Sequence, residues 1–175
     1  MAISVDPDRV MIQIGERFTF KDNKVEEPDS YLGAKLGTKL IGGTRLWTMS
    51  SENYINAALK NVETLLQGTM WRLGSTARTP MTQDFVPKLD GSPELDDGDV
   101  LRYRELIGIL RWAVKIGRVD ILHEVSLLSQ YQAAPRQGHM EHLLHIFTYL
   151  QKKEKLSIYF DPQLQNINLS GVKSN

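Results

Sequence analysis

Hydrophobic residues recur at helical spacing in the first half of the chain. The first such stretch covers residues 7–18, where Asp6 stands at the N-cap position and Pro7 at the first helical position. The second follows a pair of serines that can supply its N-cap, and it carries an apolar stripe over residues 55–66. The spacing predicts an amphipathic helix in each stretch.

The C-terminal third of the chain has the strongest helical pattern. Three helices are predicted over residues 103–117, 120–134 and 137–153, with Gly117 and Pro135 as the breaks between them. The first of the three is apolar on nearly all sides, which predicts a buried central helix. Its apolar positions are Tyr103, Leu106, Ile107, Leu110, Trp112, Ala113 and Val114.

Between the first two predicted helices the hydrophobic period changes towards two, which is typical of β-strands. Short strands are predicted at residues 18–20, 31–36 and 45–49, separated by turn-rich stretches at 21–30 and 42–44. The simplest arrangement of these segments is a three-stranded antiparallel unit behind one helix.

The elements together predict an α+β fold that is predominantly helical, with a small antiparallel sheet. A stretch rich in proline, aspartate and glycine over residues 68–99 predicts a long, mostly irregular connector. With 175 residues, the chain is long enough for one compact domain or for two small subdomains that share a core.

The amino-acid composition restricts the possible functions of the chain more than it restricts its fold. Lysine and arginine number 21 and aspartate and glutamate number 21, so the formal net charge is zero. Proteins that grip nucleic acid by charge usually have a basic excess, so such a role here requires a local basic strip or other parts of a larger protein. The chain has no cysteine, which excludes disulfides and thiol catalysis. Without a signal-like start or a long apolar run, we expect an intracellular, cytoplasmic protein with no membrane partner.

Three histidines, His139, His142 and His145, recur every three residues and suggest a zinc site. Residues three apart fan out around a helix, whereas zinc-binding helices place two histidines four apart on one face. We therefore predict half-buried or exposed helical histidines and no metal site. The acidic run over residues 94–99 departs from the calcium-loop pattern and predicts a solvated N-terminal cap instead. Residues 33–39 lack the ending of a phosphate-binding loop, and we expect a hairpin there.

Basic and aromatic residues are interleaved in the predicted strands. Such a pattern is one way to hold a nucleic-acid backbone, and a solvated sheet face explains it equally well. The basic residues are Lys21, Lys24, Lys35, Lys39 and Arg45, and the aromatic residues are Tyr31 and Trp47.

Several short motifs in the first half of the chain occur in the same order as the motifs of a known protein family. Residues 14–22, followed by Tyr31-Leu32-Gly33, are similar to a stretch of the form Phe-x-x-Lys-Asp and then Tyr-Leu-Gly. Residues 49–55 are similar to Leu-Ser-Gln-x-x-Tyr-Ile, and residues 79–81 are Thr-Pro-Met.

The C-terminal third carries further motifs of the same series. Residues 103–110 are similar to Tyr-Arg-x-x-Ile-Gly-Ser-Leu, and residues 118–121 are similar to Arg-Pro-Asp-Ile. Residues 125–129 are similar to Val-Ser-x-Leu-Ser, residues 135–139 to Pro-x-x-x-His, and residues 145–150 to Arg-Ile-Leu-Arg-Tyr-Leu. In this order, over residues 1–160, the series resembles the copia-type (Pseudoviridae) branch of long-terminal-repeat retrotransposon reverse transcriptases, in the region that follows the Tyr-x-Asp-Asp motif.

The resemblance implies a division of the chain into parts of a polymerase. Residues 1–49 would be a palm remnant with the primer-holding hairpin, 50–78 a thumb-like helix, 79–100 a connector, 101–160 a helical connection region and 161–175 a tail. In the family, the Asp pair of Tyr-x-Asp-Asp and a third Asp hold two Mg²⁺ ions for nucleotide addition. No Tyr-x-Asp-Asp occurs in the 175 residues, so we expect no catalytic residues, no metal ligands and no cofactor in this chain.

The resemblance also implies a contact surface for a primer strand. Gly33 would permit close backbone approach, while Lys35 and Trp47 would flank a phosphate and a sugar or base. The implied partners are an RNA–DNA or DNA duplex, bound weakly, and the remaining parts of the polyprotein, in the cytoplasm, a virus-like particle or the nucleus. The full set of contact residues is Tyr31, Leu32, Gly33, Lys35, Lys39 and Trp47.

Two other function classes stay open from the residues alone. One is a helical interaction or scaffold module without a nucleic-acid role, for which the three predicted C-terminal helices would supply the surface. The other is a self-standing metal enzyme built on the three histidines, for which a stability gain with Zn²⁺ would be the signature.

Overall fold

A computed structural model describes residues 6–19, 28–82 and 85–161 of the chain. Across these residues it contains five α-helices and four β-strands, which confirms a mixed α+β fold that is mostly helical. The helices are α1 (Pro7–Gly15), α2 (Glu52–Leu66), α3 (Asp97–Lys115), α4 (Leu122–Leu128) and α5 (Gln137–Lys152). The strands are β1 (Ser30–Tyr31), β2 (Ala34–Ile41), β3 (Thr44–Ser50) and β4 (Ser157–Phe160). No helix in the described part of the chain is long and apolar enough to cross a membrane.

The predicted helices are confirmed, with changes at their ends. The first ends at Gly15, three residues earlier than expected. The segment predicted over 120–134 is divided into the short helix α4 and two flanking 3₁₀ turns, Val119–Ile121 and Ser129–Tyr131. Of the predicted connector, the described residues 68–82 and 85–96 are irregular apart from a 3₁₀ turn at Pro87–Leu89 and an isolated β-bridge at Glu94, and α3 begins already at Asp97.

The predicted strands need two corrections. The strand expected at 31–36 is wrong, because Leu32 and Gly33 form the turn between β1 and β2, with φ angles of 51° and 93°. These left-handed backbone angles cannot continue a strand. Of the strand expected at 18–20, Phe18 and Thr19 are not in a strand, and the third residue lies outside the described residues.

The sheet is antiparallel throughout and has the order β1-β2-β3-β4. Strands β2 and β3 form a long hairpin whose turn, Gly42–Gly43, has positive φ at both positions. The fourth strand was not predicted from the sequence. It arrives from the far end of the chain and pairs with β3, so that Trp47 opposes Phe160 and Ser50 opposes Ser157. The sheet therefore has four strands where three were predicted, and the fourth comes from the C-terminal part of the chain.

The hydrophobic core lies within the helical body, which we define as helices α2 to α5 with their connections. Each helix turns an apolar stripe inward, and the Tyr103 hydroxyl donates a buried hydrogen bond of 2.9 Å to the Leu128 carbonyl. The fully buried members include Val62, Leu106, Ile107, Leu110, Leu128, Met140, Leu143, Ile146 and Phe147.

Helix α3 is central to this core, but it is not buried on all sides. Trp112, expected in the interior, is 37% exposed, and Leu101 is 65% exposed. The reason is geometric, since α2, α4 and α5 pack on one side of the helix and leave the opposite side in solvent. At its start, the Asp96 side chain accepts a 2.8 Å hydrogen bond from the Asp99 backbone N–H, which confirms the expected acidic cap.

The sheet meets the helical body at Gly117, directly after α3. Gly117 has a φ of 115°, and a Cβ atom there would come within 3.2 Å of Met49 and Ile158. These two residues oppose each other on β3 and β4. The glycine therefore ends the helix and allows the sheet to pack closely against it.

Candidate nucleic-acid interface

The tip of the β1–β2 hairpin consists of exposed apolar and aromatic side chains. Tyr31 pairs with Ala34 across a two-residue turn, and both turn residues have positive φ, as a type I′ turn requires. Tyr31 is 61% exposed and Leu32 is 57% exposed. The turn therefore presents an aromatic ring beside a glycine that leaves room for close approach.

The register of the sheet divides four of the six predicted contact residues between its two faces, and the other two, Leu32 and Gly33, lie in the turn. Lys39 opposes Leu46 on β3, whereas Thr38 opposes Trp47. Since side chains alternate along a strand and opposed residues share a face, Lys35 and Lys39 lie on one face and Trp47 lies on the other. Tyr31 shares the face of Trp47, because it opposes Ala34. The structure therefore does not bring Lys35 and Trp47 together around one phosphate and base.

The face that carries the two lysines is called here the lysine face, and it is polar apart from Ile41 and the buried Leu46. The Lys39 ammonium donates a 3.4 Å hydrogen bond to the Tyr159 hydroxyl and lies 5.6 Å from the centre of its ring. Lys35 opposes Ser50, which in turn opposes Ser157, so a row of hydroxyls crosses the sheet beside the lysine. The lysine face consists of Ser30, Lys35, Gly37, Lys39, Ile41, Thr44, Leu46, Thr48, Ser50, Ser157 and Tyr159, none of which is acidic.

The opposite face carries an exposed apolar strip at the end remote from the helical body. Trp47 opposes Phe160 on β4, and Leu40 lies diagonally across from Trp47 on β2. All three side chains are exposed to a large extent. The two faces of the sheet therefore differ in chemistry: the lysine face carries both lysines and most of the hydroxyls, whereas the opposite face carries this apolar strip with Arg45 beside Leu40.

Tyr159 is a residue that sequence reasoning missed. The prediction assigned residues 101–160 to a helical region, although Ser157–Phe160 contains a β-branched residue followed by two aromatic residues, which is a strand signal. The run is only four residues long, and its partner strand lies more than a hundred positions earlier. Local periodicity cannot detect such a pairing.

The three histidines hold the connector against α5 and do not converge on a common point. The buried His139 accepts a hydrogen bond from the Arg136 backbone N–H and lies 3.0 Å from the Pro87 carbonyl. His142 stacks on Phe85 with ring centres 3.3 Å apart, and burial lowers its pKa. The third, His145, lies 3.0 Å from the carbonyl of residue 79.

Among residues 6–19, 28–82 and 85–161, no group of three His, Cys, Asp or Glu side chains is placed to hold a metal ion. The acidic residues that begin α3 have other contacts: Asp96 caps the helix, and Asp99 pairs with Arg102 and accepts a 2.7 Å hydrogen bond from the Trp71 indole N–H.

One charged pair lies at the end of α3, next to the joint with the sheet. Arg118 is 1% exposed and donates two hydrogen bonds of 2.9 and 2.8 Å to Asp120. The Tyr149 hydroxyl donates a third hydrogen bond of 3.0 Å to the same carboxylate. Burial would raise the pKa of Asp120, but the hydrogen bonds and positive charge of Arg118, helped by Tyr149, lower this pKa below its ordinary value.

One comparison with known proteins gives a match. The chain is 26% identical over 153 residues to a Saccharomyces cerevisiae protein that carries the name transposon Ty5-1 protein. The match covers 87% of this chain and 45% of that protein, so the chain spans less than half the length of its relative. No protein-family profile and no solved structure matches the chain.

Proposed function

We propose that this chain is a transposon-derived segment of a copia-type reverse transcriptase that contacts a nucleic-acid duplex and does not itself add nucleotides. The similarity to a transposon protein along 87% of the chain supports the transposon origin. The ordered series of motifs supports the finer assignment to the polymerase region that follows the catalytic carboxylates. Without a Tyr-x-Asp-Asp pair, the chain has no group to position two metal ions on an incoming nucleotide.

The observation that carries the duplex contact is the lysine face. Two exposed lysines, a row of hydroxyls and a tyrosine lie on one side of a sheet, in the combination that proteins use for phosphate and sugar contacts. Three further lysines, Lys152 at the end of α5 and Lys153 and Lys155 after it, precede β4 in the chain, and Lys155 lies two positions before Ser157. A local basic surface of this kind can bind phosphates although the net charge of the chain is zero.

The six residues first proposed as contacts then have three roles. Lys35 and Lys39 would neutralise phosphates. Tyr31, Leu32 and Gly33 would approach the strand at the hairpin tip. Trp47, on the opposite face, would pack against other parts of the polyprotein together with its neighbours in the apolar strip.

Fluorescence anisotropy with a labelled RNA–DNA hybrid tests the proposal. We expect weak, sequence-independent binding at low ionic strength that falls steeply as salt rises. Substitution of Lys35→Glu with Lys39→Glu should lower the affinity by about tenfold or more and flatten the salt slope by about two counterions. Lys60→Glu with Lys88→Glu is a matched control, because both lysines are exposed and the change in net charge is the same.

The outcomes separate the candidate functions. If both double variants lose affinity equally, binding reflects net charge and the lysine face has no special role. If the wild-type chain does not bind the hybrid even at low salt, the proposed duplex contact is wrong. The result would then favour a protein-interaction module without a nucleic-acid role. Circular dichroism of each variant shows whether the fold is retained.

A further inference from the structure

A cleft of about 450 Å³ lies between helices α3 and α4 and is called here the α3–α4 cleft. Each helix contributes residues at spacings of three and four, so one stripe of each helix faces the cleft. The volume is in the range of ligand-binding pockets. The helical residues that line the cleft are Arg111, Val114 and Lys115 from α3, and Leu122, Val125 and Ser126 from α4.

The rim of the α3–α4 cleft is positively charged. Arg111 and Lys115 are exposed, and within the described residues neither has an ion-pair partner. Arg104 lies two turns before Arg111 on the same side of α3. Its Nε donates a 2.9 Å hydrogen bond to the carbonyl of Gln132, which also lines the cleft. The three cations extend over about 16 Å of the helix.

No aspartate or glutamate is among the residues that line the α3–α4 cleft. The acidic residues nearest in sequence point elsewhere. Glu105 lies about 100° around α3 from Arg104, and Glu124 lies about 160° around α4 from both Leu122 and Ser126. The cleft is therefore locally basic although the net charge of the chain is zero, and its charge is complementary to an acidic ligand.

The floor of the α3–α4 cleft is apolar. Val125 is 2% exposed, Val114 is partly buried, and Leu122 is 53% exposed. A phosphodiester backbone or an inorganic anion would use the basic rim alone, because neither has an apolar side chain to place on this floor. A peptide that carries both carboxylates and aliphatic side chains uses the rim and the floor together. The combination therefore favours an acidic peptide over nucleic acid.

We propose that the α3–α4 cleft binds an acidic peptide segment of a partner protein. Carboxylates of the peptide pair with Arg111 and Lys115, and its aliphatic side chains cover the floor. The Ser126 hydroxyl and the Gln130 amide, which line the same cleft, pair with the peptide backbone. A single cleft is smaller than a standard protein interface, so we expect a dissociation constant on the order of micromolar or weaker. The site lies outside the lysine face and does not depend on the duplex contact.

Selection from a random library of displayed peptides tests the proposal. Peptides of about 12 residues suffice, because they span about 18 Å as a helix. The immobilised wild-type chain should enrich peptides in which aspartate or glutamate is combined with leucine, isoleucine or phenylalanine. Arg111→Glu with Lys115→Glu should not enrich these peptides. Lys60→Glu with Lys88→Glu is the matched control, because both lysines are exposed and the change in net charge is the same, and it should enrich them as the wild type does.

Fluorescence anisotropy with one enriched peptide then separates the rim from the floor. The double reversal of Arg111 and Lys115 should weaken binding by about tenfold or more, because it places like charges opposite the carboxylates. Leu122→Ser should weaken binding by about threefold to tenfold, because it removes apolar contact on the floor. Leu89→Ser, at another exposed leucine, is its control and should leave the affinity unchanged. Circular dichroism shows whether each variant keeps the fold.

The lysine face provides a test of independence between the two proposed sites. Lys35→Glu with Lys39→Glu should weaken binding of the RNA–DNA hybrid and leave binding of the peptide unchanged. Three results would each overturn the peptide site: no enrichment of acidic peptides, equal peptide affinity of the Arg111 and Lys115 reversal and its control, or competition by inorganic phosphate as effective as competition by unlabelled peptide. If the reversal of Arg111 and Lys115 weakens hybrid binding and no peptide is enriched, the cleft belongs to the nucleic-acid surface.

Discussion

The helical body and the four-stranded sheet bury their side chains to very different degrees. In the helical body, residues such as Leu106, Leu143 and Phe147 are fully buried and pack against several helices. In the sheet, Ala34 and Leu46 are buried, while the outer end of each face is open to solvent. The comparison indicates that the helical body contributes most of the free energy of unfolding. The sheet contributes less and packs against the body.

The charged side chains of the two regions also differ in whether they have ion-pair partners. In the body, the buried Arg118 is paired with Asp120, because an unpaired charge inside a protein is costly. On the sheet, Lys35 and Lys39 are exposed and have no carboxylate partner among the described residues. Charges of the first kind stabilise a fold, and charges of the second kind remain available for a ligand.

The largest expected effect comes from the same substitution made in both regions. Phe147→Ala should destabilise the chain by about 3–5 kcal/mol, because it removes a fully buried ring and leaves a cavity. Phe160→Ala, at the half-exposed edge of β4, should cost about 1 kcal/mol or less. Urea denaturation followed by circular dichroism measures both. Similar losses for the two variants would contradict the view that the sheet contributes little to stability.

A smaller effect, which depends on pH, is expected where the buried Arg118 pairs with the partly exposed Asp120. The pKa of Asp120 is lowered in the folded chain, so its carboxylate stabilises the fold above its unfolded-state pKa, and this contribution is lost as the pH falls below about 4. Asp120→Asn should therefore cost about 1–3 kcal/mol at pH 7 and progressively less in acid. Glu63→Gln, at an exposed position on α2, is the control and should show a small effect at every pH. A cost for Asp120→Asn that does not change with pH would show that the carboxylate charge is not what stabilises the pair.

The two regions also differ in how well the sequence predicts them. The helices of the body follow from periodic apolar stripes, and the cap at Asp96 and the break at Gly117 follow from residue type. The sheet was predicted less well because its order depends on contacts distant in the chain, above all the pairing of β4 with β3. The turn at Leu32 was missed because leucine is rarely found at positive φ.

The candidate site shows the same limit. The sequence identified Lys35, Lys39 and Trp47 as an interleaved basic and aromatic group, but the face of each residue depends on the register of β2 against β3. A one-residue change in register would move every side chain to the other face. Tyr159 could be added only once β4 had been placed beside β3. Residue types therefore indicate the chemistry of the site, and the pairing of strands decides which residues act together.

The smallest expected effect is a gain of stability within the sheet. Leu32 occupies the left-handed region with a φ of 51°, where asparagine is far more favourable, and Asn-Gly is a preferred type I′ turn. Leu32→Asn should stabilise the β1–β2 hairpin by about 0.5–1 kcal/mol, since the leucine side chain is largely exposed and loses little burial. Amide hydrogen exchange of the β1–β2 pairs should slow by about two- to fivefold. Leu40→Asn, the same exchange at an exposed strand position with ordinary backbone angles, should bring no gain. If both variants speed exchange equally, contacts of the leucine side chain and not the backbone conformation control the hairpin.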